Sequence, residues 1–318
     1  HKEYRRQRQM CIRDSVTTVH GVVEPIELRP VEAFKSLQST DHPAFISESR
    51  SPEKGASRYS YICPTVRTIV RTGANEASGD VDPIETLRKK FKSQSVSPIP
   101  NLPALITGAF GFIAYEAISH FEPSLKNLPK DPTDSPVSAF TFPGELLVFD
   151  HELNQIHIII FSETTNAYHT ALDRISEISR TLDTTSLTNQ AKQLPDTEAP
   201  NIQTKSLVSS AKYKEMVNSA RNAIIAGELI QVVLARRITT NTSANPLDIY
   251  EQLTTMNPSP YMYLIDLGDI QLIGASPELM LRSKNNVVSS HPIAGTRPRG
   301  STAPVSYTHL TLPTILLV

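Results

Sequence analysis

Between residues 261 and 293 the chain reverses direction twice. Apolar runs at 261–267 and 270–275 flank Gly268-Asp269, and runs at 279–282 and 287–293 flank Asn285-Asn286. Short connections bearing Gly, Asp or Asn are hairpin signals, because these residues tolerate the positive φ that a tight turn demands. Strands joined this closely are antiparallel, since parallel neighbours need a crossover of about a dozen residues or more. The expected fold class is therefore α+β, antiparallel sheets flanked by helices, rather than a doubly wound parallel sheet.

Helical patterns sit upstream of the hairpins. Tyr213, Met216, Val217, Ala220 and Ile224 recur on one face of a 3.6-residue period, and Gly227 stands where a helix C-cap belongs. Asn245-Pro246 reads as an N-cap and first helical turn, and Pro258 ends that helix near Met256. Residues 230–234 read as a buried strand. Tyr59, Tyr61, Val66, Ile69 and Val70 read as strand, 84–91 as helix, 108–116 as strand passing into helix, and 146–150 with 156–161 as two joined strands. Residues 181–205 are polar with few apolar anchors and read as a linker. The expected organisation is a first domain over 16–180, that linker, and a second domain over 206–304.

Charge excludes some partners. With 31 Lys and Arg against 32 Asp and Glu the net charge is −1, so nothing calls for nucleic acid or an anionic membrane surface. No apolar run approaches the roughly 18 residues needed to span a bilayer. Cys11 and Cys63 make neither a disulfide framework nor a zinc pattern, which suits a reducing interior.

The chemistry gathers in four ordered segments within residues 227–300. They are Gly227-Glu228-Leu229-Ile230-Gln231-Val232-Val233-Leu234-Ala235-Arg236-Arg237, Asn257-Pro258-Ser259-Pro260-Tyr261-Met262, Gly274-Ala275-Ser276-Pro277-Glu278 and His291-Pro292-Ile293-Ala294-Gly295-Thr296-Arg297-Pro298-Arg299-Gly300. In the last, Gly295 admits close backbone approach, Thr296 offers a hydroxyl, and Arg297 and Arg299 are permanent cations with carboxylate-matching forks. That combination suits a small anionic substrate; taken alone, it also fits a Gly/Pro turn between strands.

Together the four segments resemble the chorismate-utilising enzymes, and among them the anthranilate synthase component I family. The resemblance covers about 290 residues. It implies that Gly295 and Thr296 contact chorismate, and that Gln231, Glu278 and Ala294 belong to the catalytic wall. Gln231 and Ala294 stand where siblings of the family carry lysines able to activate water or act as nucleophiles. Neither glutamine nor alanine can do so, which fits ammonia as the nucleophile. Ser49, in Ser47-Glu48-Ser49, matches the serine of the family's tryptophan pocket, and Pro260, Tyr261 and Met262 match its other wall. Tyr and Met would offer an indole ring an apolar, polarisable surface.

The implied reaction converts chorismate and ammonia to anthranilate and pyruvate, the first step of tryptophan biosynthesis, with feedback inhibition by tryptophan. The implied partner is a glutamine amidotransferase subunit (anthranilate synthase component II), and the implied compartment is the cytoplasm, or the plastid in a plant. Two alternatives stay open: an aminodeoxychorismate synthase large subunit, and a non-catalytic tryptophan-binding fragment. The resemblance also implies Mg²⁺, with its ligands and the family's catalytic histidine expected beyond the residues present. No metal ligand is therefore assigned in this chain. Residues 1–15 and 305–318 resemble translated sequencing-adapter text, so the expectation is a C-terminally truncated piece, inactive by itself.

Overall fold

The computed structural model describes residues 15–24, 27–39, 42–49, 58–93, 95–96, 99, 102–125, 133–162, 167–188, 203–284 and 286–292. They divide into two units, one of residues 1–195 with 244–277 and the other of 196–243 with 278–318.

The first unit is built on β1 (Ser15–Val23), β2 (Ala44–Glu48), β3 (Tyr59–Thr72), β4 (Ser95–Val96), β5 (Phe110–Ile113), β6 (Ser138–Asp150), β7 (Gln155–Ser162), β10 (Tyr261–Asp266) and β11 (Gln271–Ser276). Its helices are α1 (Pro30–Leu37), α2 (Pro83–Ser93), α3 (Ile118–Phe121), α4 (Tyr168–Thr188) and α6 (Pro246–Met256). The sheet runs β11-β10-β2-β3-β6-β7-β1-β4, with β5 also on β6. Every pairing is antiparallel except β1 with β4, as the hairpin pattern requires. The α+β class is thus observed.

Both sheet faces are buried. One carries Ile46, Ile62, Leu147, Ile158, Met262 and Leu264 against Phe34 of α1, Ile175, Ile178 and Leu182 of α4, and Tyr250 of α6. The other carries Phe45, Cys63, Leu146, Val148, Ile159, Phe161 and Ile265, with Ile106 packed among them. Two-sided burial is why Ile158-Ile159-Ile160 is continuously apolar rather than alternating. Cys63 is buried and unpaired to any disulfide, and burial pushes its thiol well above the usual range, so it behaves as a small core hydrophobe.

Arginine clamps tie distant strands together. Arg58 makes a bidentate pair with buried Asp150 at 2.8 and 2.5 Å, joining the start of β3 to the end of β6. Arg174 of α4 grips Glu145 of β6 at 2.7 and 3.0 Å. Arg71 holds Asp269, in the turn of the β10–β11 hairpin, and donates to the Leu267 carbonyl at 3.1 Å.

Several sequence expectations hold and several do not. Helix α6 starts on Asn245, whose side chain accepts from the Leu247 N–H at 2.9 Å, and stops at Met256. The β10–β11 turn closes with Leu267 N–H on the Ile270 carbonyl at 2.9 Å and Gly268 at φ +93°. The expected linker is different: its first residues continue α4 to Thr188. Ser and Thr hydroxyls bond back to carbonyls four residues earlier (Ser179 to Ile175, Thr185 to Thr181) while Ala171, Ile175, Ile178 and Leu182 pack inward. Residues 244–277, expected in the second domain, belong with the first unit because β10 hydrogen-bonds to β2.

The second unit holds α5 (Ser210–Ile225), the short pairs β8 (Lys205–Ser206) with β9 (Ile238–Thr239), and β12 (Arg282–Lys284) with β13 (Val287–Ser289). Helix α5 ends as its glycine predicts. Gly227 has φ +79°, Glu228 N–H reaches the Ala223 carbonyl at 3.0 Å, and Gly227 N–H reaches Ile224 at 3.1 Å, the bonding of a Schellman cap. The buried strand expected over 230–234 is absent: these residues have no strand pairing, and Ile230 is 98% exposed. An apolar run forms a strand only where a neighbouring strand meets its N–H and C=O groups, and none does so among the described residues.

Two outcomes follow. Ile178 is 0% exposed and Ile225 is 72% exposed. Ile178→Ala should cost about 2–5 kcal/mol in urea unfolding while Ile225→Ala stays within about 0.5 kcal/mol. The Arg71 hydrogen bond holds Asp269 down to a pKa of about 2, below its ordinary 3.8. A depressed carboxylate contributes stability above its unfolded pKa and loses it as pH falls toward the folded value. The stability difference between wild type and Asp269→Asn should therefore be present at pH 7 and shrink to nothing as pH drops from about 3.8 to about 2.

Candidate functional site

The register of three neighbouring strands assembles one part of the expected site. Tyr261 of β10 lies opposite Ser276 of β11, and Met262 lies opposite Glu48 of β2. Continuing that register by one residue sets Ser49 opposite Tyr261. Ser49, Tyr261 and Ser276 thus form a row across β2, β10 and β11, and all three are half-buried. The next row on the same face is Ser47, Tyr263 and Gly274, with Tyr61 of β3 opposite Ser47. The result is an apolar floor of tyrosine rings edged by serine hydroxyls. A ring can stack on such a floor while hydroxyls bond its polar substituents.

Gly274 is what allows this arrangement. A Cβ there would overlap the Tyr263 ring around Cζ and Oη, so the ring lies directly over the glycine. The packing beneath is aromatic too: Phe110 stacks on Phe45 at 4.1 Å between centroids and meets Tyr61 at 5.6 Å. Burial pushes the Tyr61 phenol up to about 12, with Tyr59 adding to the effect, so it stays a neutral donor at physiological pH.

Met262 departs from expectation. Period-two alternation turns its side chain to the opposite face, where it is fully buried with Leu247, Tyr250 and Leu264. It cannot share a surface with the Tyr261 ring; only its backbone borders the row. Beside it, buried Glu48 accepts from the Tyr250 hydroxyl at 2.7 Å. Pro260, half-buried, leads into β10 and brings Tyr261 to the strand's first position.

The expected catalytic set lies elsewhere. Gln231 and Glu278 both fall in the second unit, both exposed and in neither helix nor strand. Ala294, Gly295 and Thr296 lie outside the described residues. No group of three or more His, Cys, Asp or Glu side chains among the described residues is arranged to hold a metal ion. Mg²⁺ commonly takes one or two protein carboxylates together with water and substrate, and no step here runs through that ion. Tyr263 and Ser276 were not singled out from sequence. The signal was there in principle, since they stand two residues after Tyr261 and two before Glu278, but only strand register puts them on one face.

With this geometry in view, comparison with known proteins decides the family. The chorismate binding enzyme family matches residues 42–307. The chain belongs to that family. It is 32% identical over 292 residues to the probable anthranilate synthase component 1 of Schizosaccharomyces pombe, covering 89% of this chain and 58% of the relative. It is 34% identical over 300 residues to anthranilate synthase component 1 of Saccharomyces cerevisiae, again 89% and 58%. Among solved structures, anthranilate synthase component I of Streptococcus pneumoniae superposes with a TM-score of 0.57 at 26% identity, covering 82% of this chain and 58% of that one. The menaquinone-specific isochorismate synthase of Escherichia coli superposes at 0.56 with 15% identity, a likeness of fold alone. The chain spans about 58% of the length of the curated relatives it matches.

Gly274→Ala tests the aromatic floor. Displacing the Tyr263 ring should cost about 1–3 kcal/mol, read as a lower urea midpoint at unchanged m-value.

Proposed function

We propose that these residues are part of the large component of an anthranilate synthase. It converts chorismate and ammonia to anthranilate and pyruvate, takes its ammonia from a glutamine amidotransferase subunit, and is restrained by tryptophan. The observation that carries this reading is the set of curated relatives, anthranilate synthase components 1 at 29–35% identity among those from yeasts and bacteria. Gln231 and Ala294 support it chemically. Neither side chain has a basic nitrogen, so neither can activate water as a lysine does, whereas ammonia needs no such activation.

In this reading Gly295 and Thr296 meet the substrate's polar edge, and Glu278 orients groups in the catalytic wall. Tryptophan sits on the row of Ser49, Tyr261 and Ser276. The Tyr261 ring takes the indole face, the hydroxyls take its polar ends, and the Pro260 and Met262 backbones close the wall. Inhibition then requires tryptophan to favour one state of the enzyme, with a coupling free energy of about 1–3 kcal/mol. The reaction is cytoplasmic, or plastidic in a plant. Among the described residues no helix is long and apolar enough to cross a membrane.

The test is product analysis on the source gene's chain, taken to its relatives' length, with chorismate, ammonium and Mg²⁺. Anthranilate and pyruvate should form, tryptophan should suppress them, and Tyr261→Ala should relieve that suppression about tenfold or more, the equivalent of about 1.4 kcal/mol. Aminodeoxychorismate or isochorismate as the product overturns the assignment. Anthranilate formation that tryptophan leaves untouched removes the regulatory site and keeps the enzyme.

A further inference from the structure

We propose that His20 of β1 and His157 of β7 form a two-imidazole binding site for a divalent transition metal ion of the zinc class. The two strands are antiparallel, with Val22 opposite His157 and His20 opposite Ile159. The histidines are therefore diagonal neighbours on one face, close enough for long side chains to meet. Their rings are stacked, with centroids 5.3 Å apart, and His20 Nε2 lies 3.1 Å from His157 Nδ1.

That separation is the central observation. Two nitrogens bound to one tetrahedral zinc at about 2.0–2.1 Å stand roughly 3.3–3.4 Å apart. The observed 3.1 Å is short of this by a few tenths of an ångström. Modest rotation about the terminal side-chain torsions, which are broad in histidine, directs both lone pairs to a common point. The backbone need not move, because both residues sit within paired strands rather than loops.

The surroundings favour a metal over a proton at this point. Burial, then the neighbouring His157, pushes His20 down to about 4, and burial also lowers His157. Both rings are neutral at pH 7, so a metal meets little proton competition there. One hydrogen lies between the two nitrogens. On metal binding it moves to the other nitrogen of the same ring, so no net proton leaves the pair. Asp150, whose charge acts on His157, is engaged by Arg58 and is no third ligand. The remaining coordination positions fall to water. His20 is half-buried, and beyond Val16 its strand pairs only with β7 among the described residues. Imidazole ligands suit zinc, copper or nickel, whereas Mg²⁺ prefers oxygen. A bound ion would clamp β1 to β7 and stabilise the folded state by mass action.

The experiment titrates ZnCl₂ alone into the 318-residue chain by calorimetry, with MgCl₂ as the control. Wild type should bind one zinc reversibly and show a higher thermal midpoint in zinc but not in magnesium. His20→Gln and His157→Ala should each weaken binding by more than the roughly 10- to 100-fold that loss of an outer-shell partner costs. Unchanged affinity in both variants, or no binding by wild type, overturns the proposal. If a variant fails to fold, imidazole carbon-bound proton signals of the wild type decide it. Zinc-dependent shifts at His20 and His157 support the site, and shifts confined to other histidines reject it.

Discussion

The antiparallel pairing of β10 with β2 joins residues about two hundred positions apart, Met262 to Glu48 and Asp266 to Ala44. Without it, the β10–β11 hairpin would be a two-stranded ribbon, marginal by itself in water. With it, the hairpin becomes the edge of a sheet, and Tyr261 gains serine neighbours on both sides. The same pairing turns Met262 and Leu264 inward onto α6, so the helix Pro246–Met256 has a surface to bury Leu247 and Tyr250 against. The candidate pocket and the core of the first unit thus rest on one register.

That register tolerates no slip. A one-residue shift would move Tyr261 and Tyr263 into the helix-facing core and turn Met262 and Leu264 to the opposite face. Several contacts guard against it. Arg71 anchors the hairpin's turn through Asp269, and the Tyr250 hydroxyl reaches Glu48 one strand away. Gly274 receives the Tyr263 ring, so only one alignment of β11 leaves that ring room. Further along the sheet, Arg58 with Asp150, Arg174 with Glu145 and His20 with His157 do comparable work between β3, β6, α4, β1 and β7.

The two units differ physically. In the first, strands are covered on both faces and large side chains such as Phe34, Ile158 and Leu182 are fully buried. In the second, α5 carries the apolar face that its residue spacing predicts, yet none of its residues is buried. Residues 230–234 are apolar enough to suggest a core strand, yet Ile230 and Val233 are exposed. Periodicity identifies a helix because its hydrogen bonds are internal, between residues four apart. It cannot identify a strand with equal security, because a strand's bonds depend on a neighbour elsewhere in the chain. Helix α4 illustrates the converse. Its Thr-rich end resembles linker, and only the burial of Leu182 in the core beside Ile178 reveals why it stays helical.

By itself the sequence determined what is local: the Gly268-Asp269 and Asn286 turns, the Asn245 and Gly227 caps, the antiparallel α+β class, and the four segments that carry the family resemblance. These follow from φ preferences and short hydrogen-bonded rings that close within a few residues. The tertiary structure decided what depends on partners far apart in sequence. It assigned residues 244–277 to the first unit, set Ser49, Tyr261 and Ser276 in one row, turned Met262 away from it, and brought His20 to His157. Strand register creates all of these, and register is settled by which faces can be buried together, not by any residue's own preference.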